Sequence, residues 1–158
     1  MSNRSSDDFE LTPELLLRAY TVGVFPMAES RNATSISWID PRNRGVLPLD
    51  SLHIPKSLQK TVRKDVFDIY CNRDFGAIVA ECGRRTPERG ETWINAQIEQ
   101  AVNELHRMGY AHSVETWRDG KLVGGLYGVA LGGVFFGESM FSRVTDASKV
   151  ALVHLCAR

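Results

Sequence analysis

The chain has 158 residues, 43% of them hydrophobic and 24% charged, which excludes a disordered or fibrous protein and leaves room for one domain with a small appendage. Lysine plus arginine and aspartate plus glutamate both number 19, so net charge points to no nucleic-acid partner and any basic surface must come from local clustering. Cys71, Cys82 and Cys156 form no C-x-x-C pair, which argues for a reducing compartment, and the four histidines lack i,i+4 partners, so no metal is expected. The polar, acidic start Met1–Glu10 lacks the apolar core of a signal peptide, and no run is long enough to span a bilayer. A cytoplasmic chain with no membrane partner is the expectation.

Met1–Asp8 reads as a tail. Thr12-Pro13-Glu14 is an N-cap, a first-turn proline and a first-turn acid, opening a helix that ends at Gly23. Phe25-Pro26-Met27 reads as an apolar turn, and Ser35–Ile39 as a short strand closed by Asp40-Pro41. Arg44–Leu49 reads as a strand, Pro55–Lys64 as a helix, Val66–Cys71 as a strand, and Phe75–Cys82 as a helix stopped by Gly83. Arg84–Gly90 is a charged loop. From Asn95 to Met108, Ile98, Ala101, Val102, Leu105 and Met108 form an i, i+3, i+4, i+7 stripe. Ala111–Arg118, Lys121–Leu131 and Val134–Phe141 are strands joined at Asp119-Gly120 and Gly132-Gly133, a three-stranded meander. Asp146 then caps a helix bearing Val150, Ala151, Val153, His154 and Leu155. The fold class is α+β.

Glu138 is the first candidate for chemistry. It lies among Phe135, Phe136, Met140 and Phe141, where an ionised carboxylate is costly unless it has a partner or a task. An ion pair with Arg143 or another basic residue at the sheet edge is the structural alternative. Gly137 beside it signals either the close approach of a ligand or a bulge. Trp93, ahead of a helix, reads on its own as a staple packing the helix start. Leu126, Phe135, Met140 and Leu152 read as ordinary core. Lys56, Lys60, Arg63 and Lys64 fall on one side of their helix with no acid between them. They form either a phosphate-neutralising stripe or a solvated face, which Arg84, Arg85 and Arg89 could extend.

Leu16–Met27 (LLRAYTVGVFPM), Ser37–Arg42 (SWIDPR), Ser51–Ile54 (SLHI), Glu91–Ile94 (ETWI), His112–Trp117 (HSVETW), Leu122–Val129 (LVGGLYGV), Gly137–Arg143 (GESMFSR) and Asp146–Lys149 (DASK) occur in this order. With them the chain resembles the bacterial leucyl/phenylalanyl-tRNA–protein transferases. The resemblance implies a small N-terminal domain over residues 1–42. It implies an acyltransferase-like (GNAT-like) mixed-sheet domain from residue 43, whose last strands, one with an Asp-x-Gln signature, would follow Arg158. It implies an aminoacyltransferase that moves Leu, Phe or less readily Met from aminoacyl-tRNA to proteins beginning with Arg or Lys, marking them for N-degron degradation. Without a cofactor, and as a monomer, such an enzyme would use Glu138 at the catalytic centre. Met27, Trp93, Leu126, Phe135, Gly137, Met140 and Leu152 would line the aminoacyl and terminal-adenosine pocket, with Met27 in place of the family's Trp. Lys56, Lys60, Arg63 and Lys64 would receive the tRNA acceptor stem.

An aminoacyl ester is already activated, so the reaction needs only a positioned amine, a stabilised oxyanion and a leaving ribose oxygen. Two other readings compete. A CoA-dependent N-acyltransferase would want a glycine-rich pyrophosphate loop, where this chain has Ser142–Lys149 without glycine. An inactive relic would at most bind tRNA 3′ ends.

Overall fold

A computed structural model describes residues 10–87 and 90–158, so the expected N-terminal tail and Arg89 lie outside the described residues. Helix α1 (Pro13–Thr21) starts where Thr12 Oγ1 accepts from the Leu15 amide at 3.2 Å, with Pro13 in the first turn. It ends ahead of Gly23 at φ +81°, a left-handed position that suits glycine. Strands β1 (Phe25–Met27) and β2 (Ser37–Ile39) pair antiparallel. Phe25-Pro26-Met27 is therefore a strand rather than a turn. A two-stranded ribbon has an open edge, which lets Pro26 sit in it without a donor. Arg44–Leu49 forms no strand, and a single 3-10 turn at Leu49–Ser51 stands at its end.

Helices α2 (Lys56–Arg63), α3 (Phe75–Cys82), α4 (Ala96–Arg107) and α5 (Ala147–Cys156) surround a four-stranded sheet. Its strands are β3 (Asp68–Cys71), β4 (Ala111–Arg118), β5 (Lys121–Leu131) and β6 (Val134–Ser142), in the order β3-β4-β5-β6. The expected meander is present with β3 added, and every described pairing is antiparallel, so the mixed sheet expected from the resemblance is not seen among the described residues. Asp119 and Gly120 both take positive φ, the geometry of a type I′ hairpin turn.

Strand alternation sends successive β5 side chains to opposite faces. One face packs on α3 and α4, whose buried Ile78, Ile98, Val102 and Leu105 join Tyr127 and Val129 in the main core. The other face packs on α5, where Leu126 meets Ala151. Glycines of the LVGGLYGV run make this closeness possible. A Cβ on Gly124 would lie 2.5 Å from Ala147 Cβ, and one on Gly125 would lie 2.5 Å from Ile78 Cδ1 on the opposite face.

The N-terminal unit is built into the main core, which also holds Leu11, Leu16, Tyr20 and Ala28. Polar stitches fix its position. The Ala28 amide donates to the Trp93 carbonyl (3.0 Å), Arg31 to the Ile94 carbonyl (2.9 Å), and Asn95, the N-cap of α4, to the Ala33 carbonyl (2.9 Å). Arg31 also pairs with Glu99 of α4.

Candidate active site

The β5–β6 pairing slips by one residue opposite Gly128. Tyr127 pairs with Ser139 and Gly128 with Gly137, so Glu138 is the extra residue of a β-bulge. A bulge breaks the strict alternation of a strand and re-aims the side chain it carries. Gly128 is what allows it, because a Cβ there would meet the Phe136 carbonyl oxygen at 2.2 Å and the Phe135 ring at 2.5 Å. Over Gly137 nothing lies within 4 Å of a Cβ position. Of the two meanings expected for Gly137, the bulge is present, and the space above it is open.

Glu138 is half-buried in accessible surface, and its carboxyl sits in dense protein on the α1 side of β6. Burial pushes it up to about 7, against the opposing pull of a hydrogen bond with Tyr20 and the nearby Arg44 guanidinium. Of the expected alternative partners, Arg143 is engaged elsewhere, pairing with Glu81 of α3, and no other basic residue forms an ion pair with Glu138 among the described residues. Burial, reinforced by Glu138, drives the Tyr20 and Tyr127 phenols far above their ordinary range, so both stay neutral donors. Tyr20 comes from α1, and its ring packs on Phe136 at 5.1 Å. Tyr127 is fully buried, and its hydroxyl has no hydrogen-bond partner among the described residues. Neither tyrosine stood out in the sequence. Their signal was only that Tyr20 falls on the buried face of an amphipathic helix and that Tyr127 lies on the strand preceding Glu138.

The residues expected to line one pocket divide between the two faces of the sheet. Leu126, Phe135 and Leu152 cluster on the α5 side, and Met140 shares that face because it pairs with Leu126. Trp93 is half-buried against the main core on the α1 side, and Met27 is the last residue of β1 before Ala28, whose amide meets the Trp93 carbonyl. Glu138 and Gly137 stand on β6, the outermost strand of the sheet among the described residues.

Lys56, Lys60, Arg63 and Lys64 are exposed on α2, while Leu58 and Val62 of the same helix pack toward Ala147 and Val150 of α5. None of the four cations is in an ion pair among the described residues. Arg84 and Arg85 are paired with Glu81 and Glu91, so they extend no free patch. Groups of three or more His, Cys, Asp or Glu able to hold a metal do not occur among the described residues. No described helix is long and apolar enough to cross a membrane.

Residues 46–158 match the family model described as leucyl/phenylalanyl-tRNA protein transferase, and residues 9–42 match the model of the N-terminal domain of the same enzymes. A leucyl/phenylalanyl-tRNA–protein transferase of Paramagnetospirillum magneticum is 61% identical over 94% of this chain and 71% of its own length. One of Rhizorhabdus wittichii is 59% identical over 94% of the chain and 60% of its own length. One of Rhodopseudomonas palustris is 52% identical over 100% of the chain and 70% of its own length. The chain thus spans between 60% and 71% of the length of these relatives.

Proposed function

The chain belongs to the leucyl/phenylalanyl-tRNA–protein transferase family, and from that premise we propose that it carries the donor site of an aminoacyltransferase. It moves Leu or Phe, and less readily Met, from aminoacyl-tRNA to the α-amine of proteins beginning with Arg or Lys, the acceptors of N-degron marking. Its core follows the GNAT-like plan in the cytoplasm, and it acts as a monomer without a cofactor.

The carrying observation is Glu138 on its bulge, with Tyr20 beside it and its carboxyl pushed up to about 7 by burial. The ester reaches Glu138 by lying across β6, the last strand in the order of the described sheet. Its acyl side chain fills the open space over Gly137, against Phe135, Met140, Leu126 and Leu152. Its adenosine turns to the other face, against Met27 and Trp93. That arrangement gives each expected pocket residue a contact although the sheet separates them.

Transfer forms an N–C bond between the acceptor amine and the ester carbonyl, and it breaks the bond from that carbonyl to the ribose oxygen. The attacking nitrogen must shed a proton, and the leaving oxygen must gain one. A carboxyl poised near 7 is matched to an α-amine, whose ordinary pKa is about 7.7–8.0. Glu138 accepts a hydrogen bond from the incoming amine, aligns it and carries its proton. Tyr20 keeps the carboxylate oriented. The apolar side of the site discriminates weakly among Leu, Phe and Met, since one methylene is worth about 1–3 kcal/mol.

The acceptor stem lies on α2. Three strand spacings separate β3, beside α2, from β6, about 14 Å at roughly 4.8 Å each. That is a reach suited to a single-stranded RNA end. Contacts there go to the backbone, so sequence readout is not expected of them.

The test is Phe transfer to an Arg-starting peptide by the wild-type chain and by Glu138→Gln. A loss of about a hundredfold or more with the fold intact is expected. Unchanged turnover would remove Glu138 from the reaction.

A further inference from the structure

Resting on the nucleotide placement proposed above, we infer that Arg44 receives the phosphate 5′ to the terminal nucleoside of the aminoacyl-RNA. Arg44 lies beyond β2, and its side chain turns back to donate a hydrogen bond to the Gly23 carbonyl at the end of α1. Its guanidinium carbon stands 5.9 Å from the centroid of the Phe25 ring. Phe25 and Met27 are alternate residues of β1 and so share a side of that strand, about 7 Å apart. A single nucleotide spans such a distance. With adenosine against Met27 and Trp93, its own phosphate falls at Arg44.

The charge pattern supports an anionic occupant. Arg44 is exposed and has no ion-pair partner among the described residues. One bond to a carbonyl leaves most of its five N–H donors for a ligand, in the fork geometry that suits phosphate. The Gly23 contact fixes the head group in advance, which reduces the ordering cost of binding. Arg44 also acts electrostatically on Glu138, so its charge is felt at the acyl end. A cation there repels an Arg- or Lys-starting acceptor, and the donor RNA is the fitting occupant.

The experiment compares two stable donor analogues, 3′-phenylalanylamido-3′-deoxyadenosine with a free 5′-hydroxyl and the same compound carrying a 5′-phosphate. Binding of each to the wild-type chain, Arg44→Gln and Arg44→Lys is measured by calorimetry at a high pH that keeps Glu138 ionised. The phosphate should tighten wild-type binding about tenfold or more, the size of a charge-assisted contact. Arg44→Gln should lose that gain while binding the unphosphorylated analogue as wild type does, and Arg44→Lys should recover part of it. If the phosphate gives wild type no advantage, or if Arg44→Gln weakens both analogues equally, the assignment is overturned. If wild type binds neither, the proposed function fails and this assignment fails with it.

Discussion

Glu115 and Glu138 stand two strands apart on the same side of one sheet, and their surroundings differ in kind. Glu115, on the interior strand β4, is fully buried and saturated with donors. The Asp74 amide and the Ser113 hydroxyl each reach it at 2.8 Å, and the Trp117 indole N–H reaches it at 2.9 Å. Arg73 stacks over Trp117 at 4.3 Å, placing a cation just beyond that indole. The carboxylate therefore holds the start of α3 to the sheet and has nothing left to offer a substrate. Glu138, on a bulge of β6, keeps a single phenol and the charge of the Arg44 guanidinium, and burial drives its carboxyl up to about 7. The contrast teaches that burial of a charge does not by itself mark a functional group. The number of donors supplied does, because a saturated carboxylate is structure and an undersupplied one is reactive.

The contrast can be broken or sharpened by substitution. The largest effect should come from Glu115→Ala, which strands the buried Ser113 hydroxyl and two part-buried donors and leaves a cavity, at a cost of about 3–5 kcal/mol in unfolding free energy by chemical denaturation. A loss below about 1 kcal/mol would show that Glu115 is no keystone.

Next comes the pH dependence of Glu138. Its native pKa near 7 lies above the ordinary 4.5, so the folded state binds this proton more tightly than the unfolded state. Its contribution to stability is full below the ordinary value, falls as pH rises from 4.5 to 7, and is flat beyond. The fall amounts to at most about 3 kcal/mol. Glu138→Gln should lack it and be the more stable chain above neutrality, and parallel curves for the two chains would contradict this.

Tyr20→Phe removes the donor that favours the carboxylate. Glu138 should then titrate higher still, the pH–rate profile for Phe transfer should shift alkaline, and stability should drop by about 1–2 kcal/mol. An unmoved profile would separate Tyr20 from the site. The smallest effect is expected from Tyr127→Phe. It deletes a buried hydroxyl without a partner and should leave thermal stability unchanged or raise it by up to about 1 kcal/mol. A clear loss would mean that this hydroxyl has a partner in solution.

Helix and hairpin boundaries were largely legible in the sequence, because they rest on local chemistry. Thr12-Pro13 begins α1, Asn95 caps α4, and Asp119-Gly120 turns the hairpin. The strand character of Phe25–Met27 was hidden by its proline, and the extended look of Arg44–Leu49 had no partner strand to make it real. Glu138 was visible as a charge among phenylalanines. Its bulge was only half visible, since the register slip depends on Gly128 across the ladder. Glu115 passed unnoticed because its donors come from residues as far as 41 positions away. The division of pocket residues between two faces could not be read from a list of apolar positions.

The central claim is that Glu138 is an undersupplied carboxyl within reach of the donor ester. Its most direct test is a pH titration of the side-chain carboxyl carbon by nuclear magnetic resonance, assigned through its absence in Glu138→Gln. The titration is run with and without 3′-phenylalanylamido-3′-deoxyadenosine. The account predicts a midpoint near 7 that moves when the analogue binds. A midpoint in the ordinary carboxylate range, indifferent to the analogue, would contradict it.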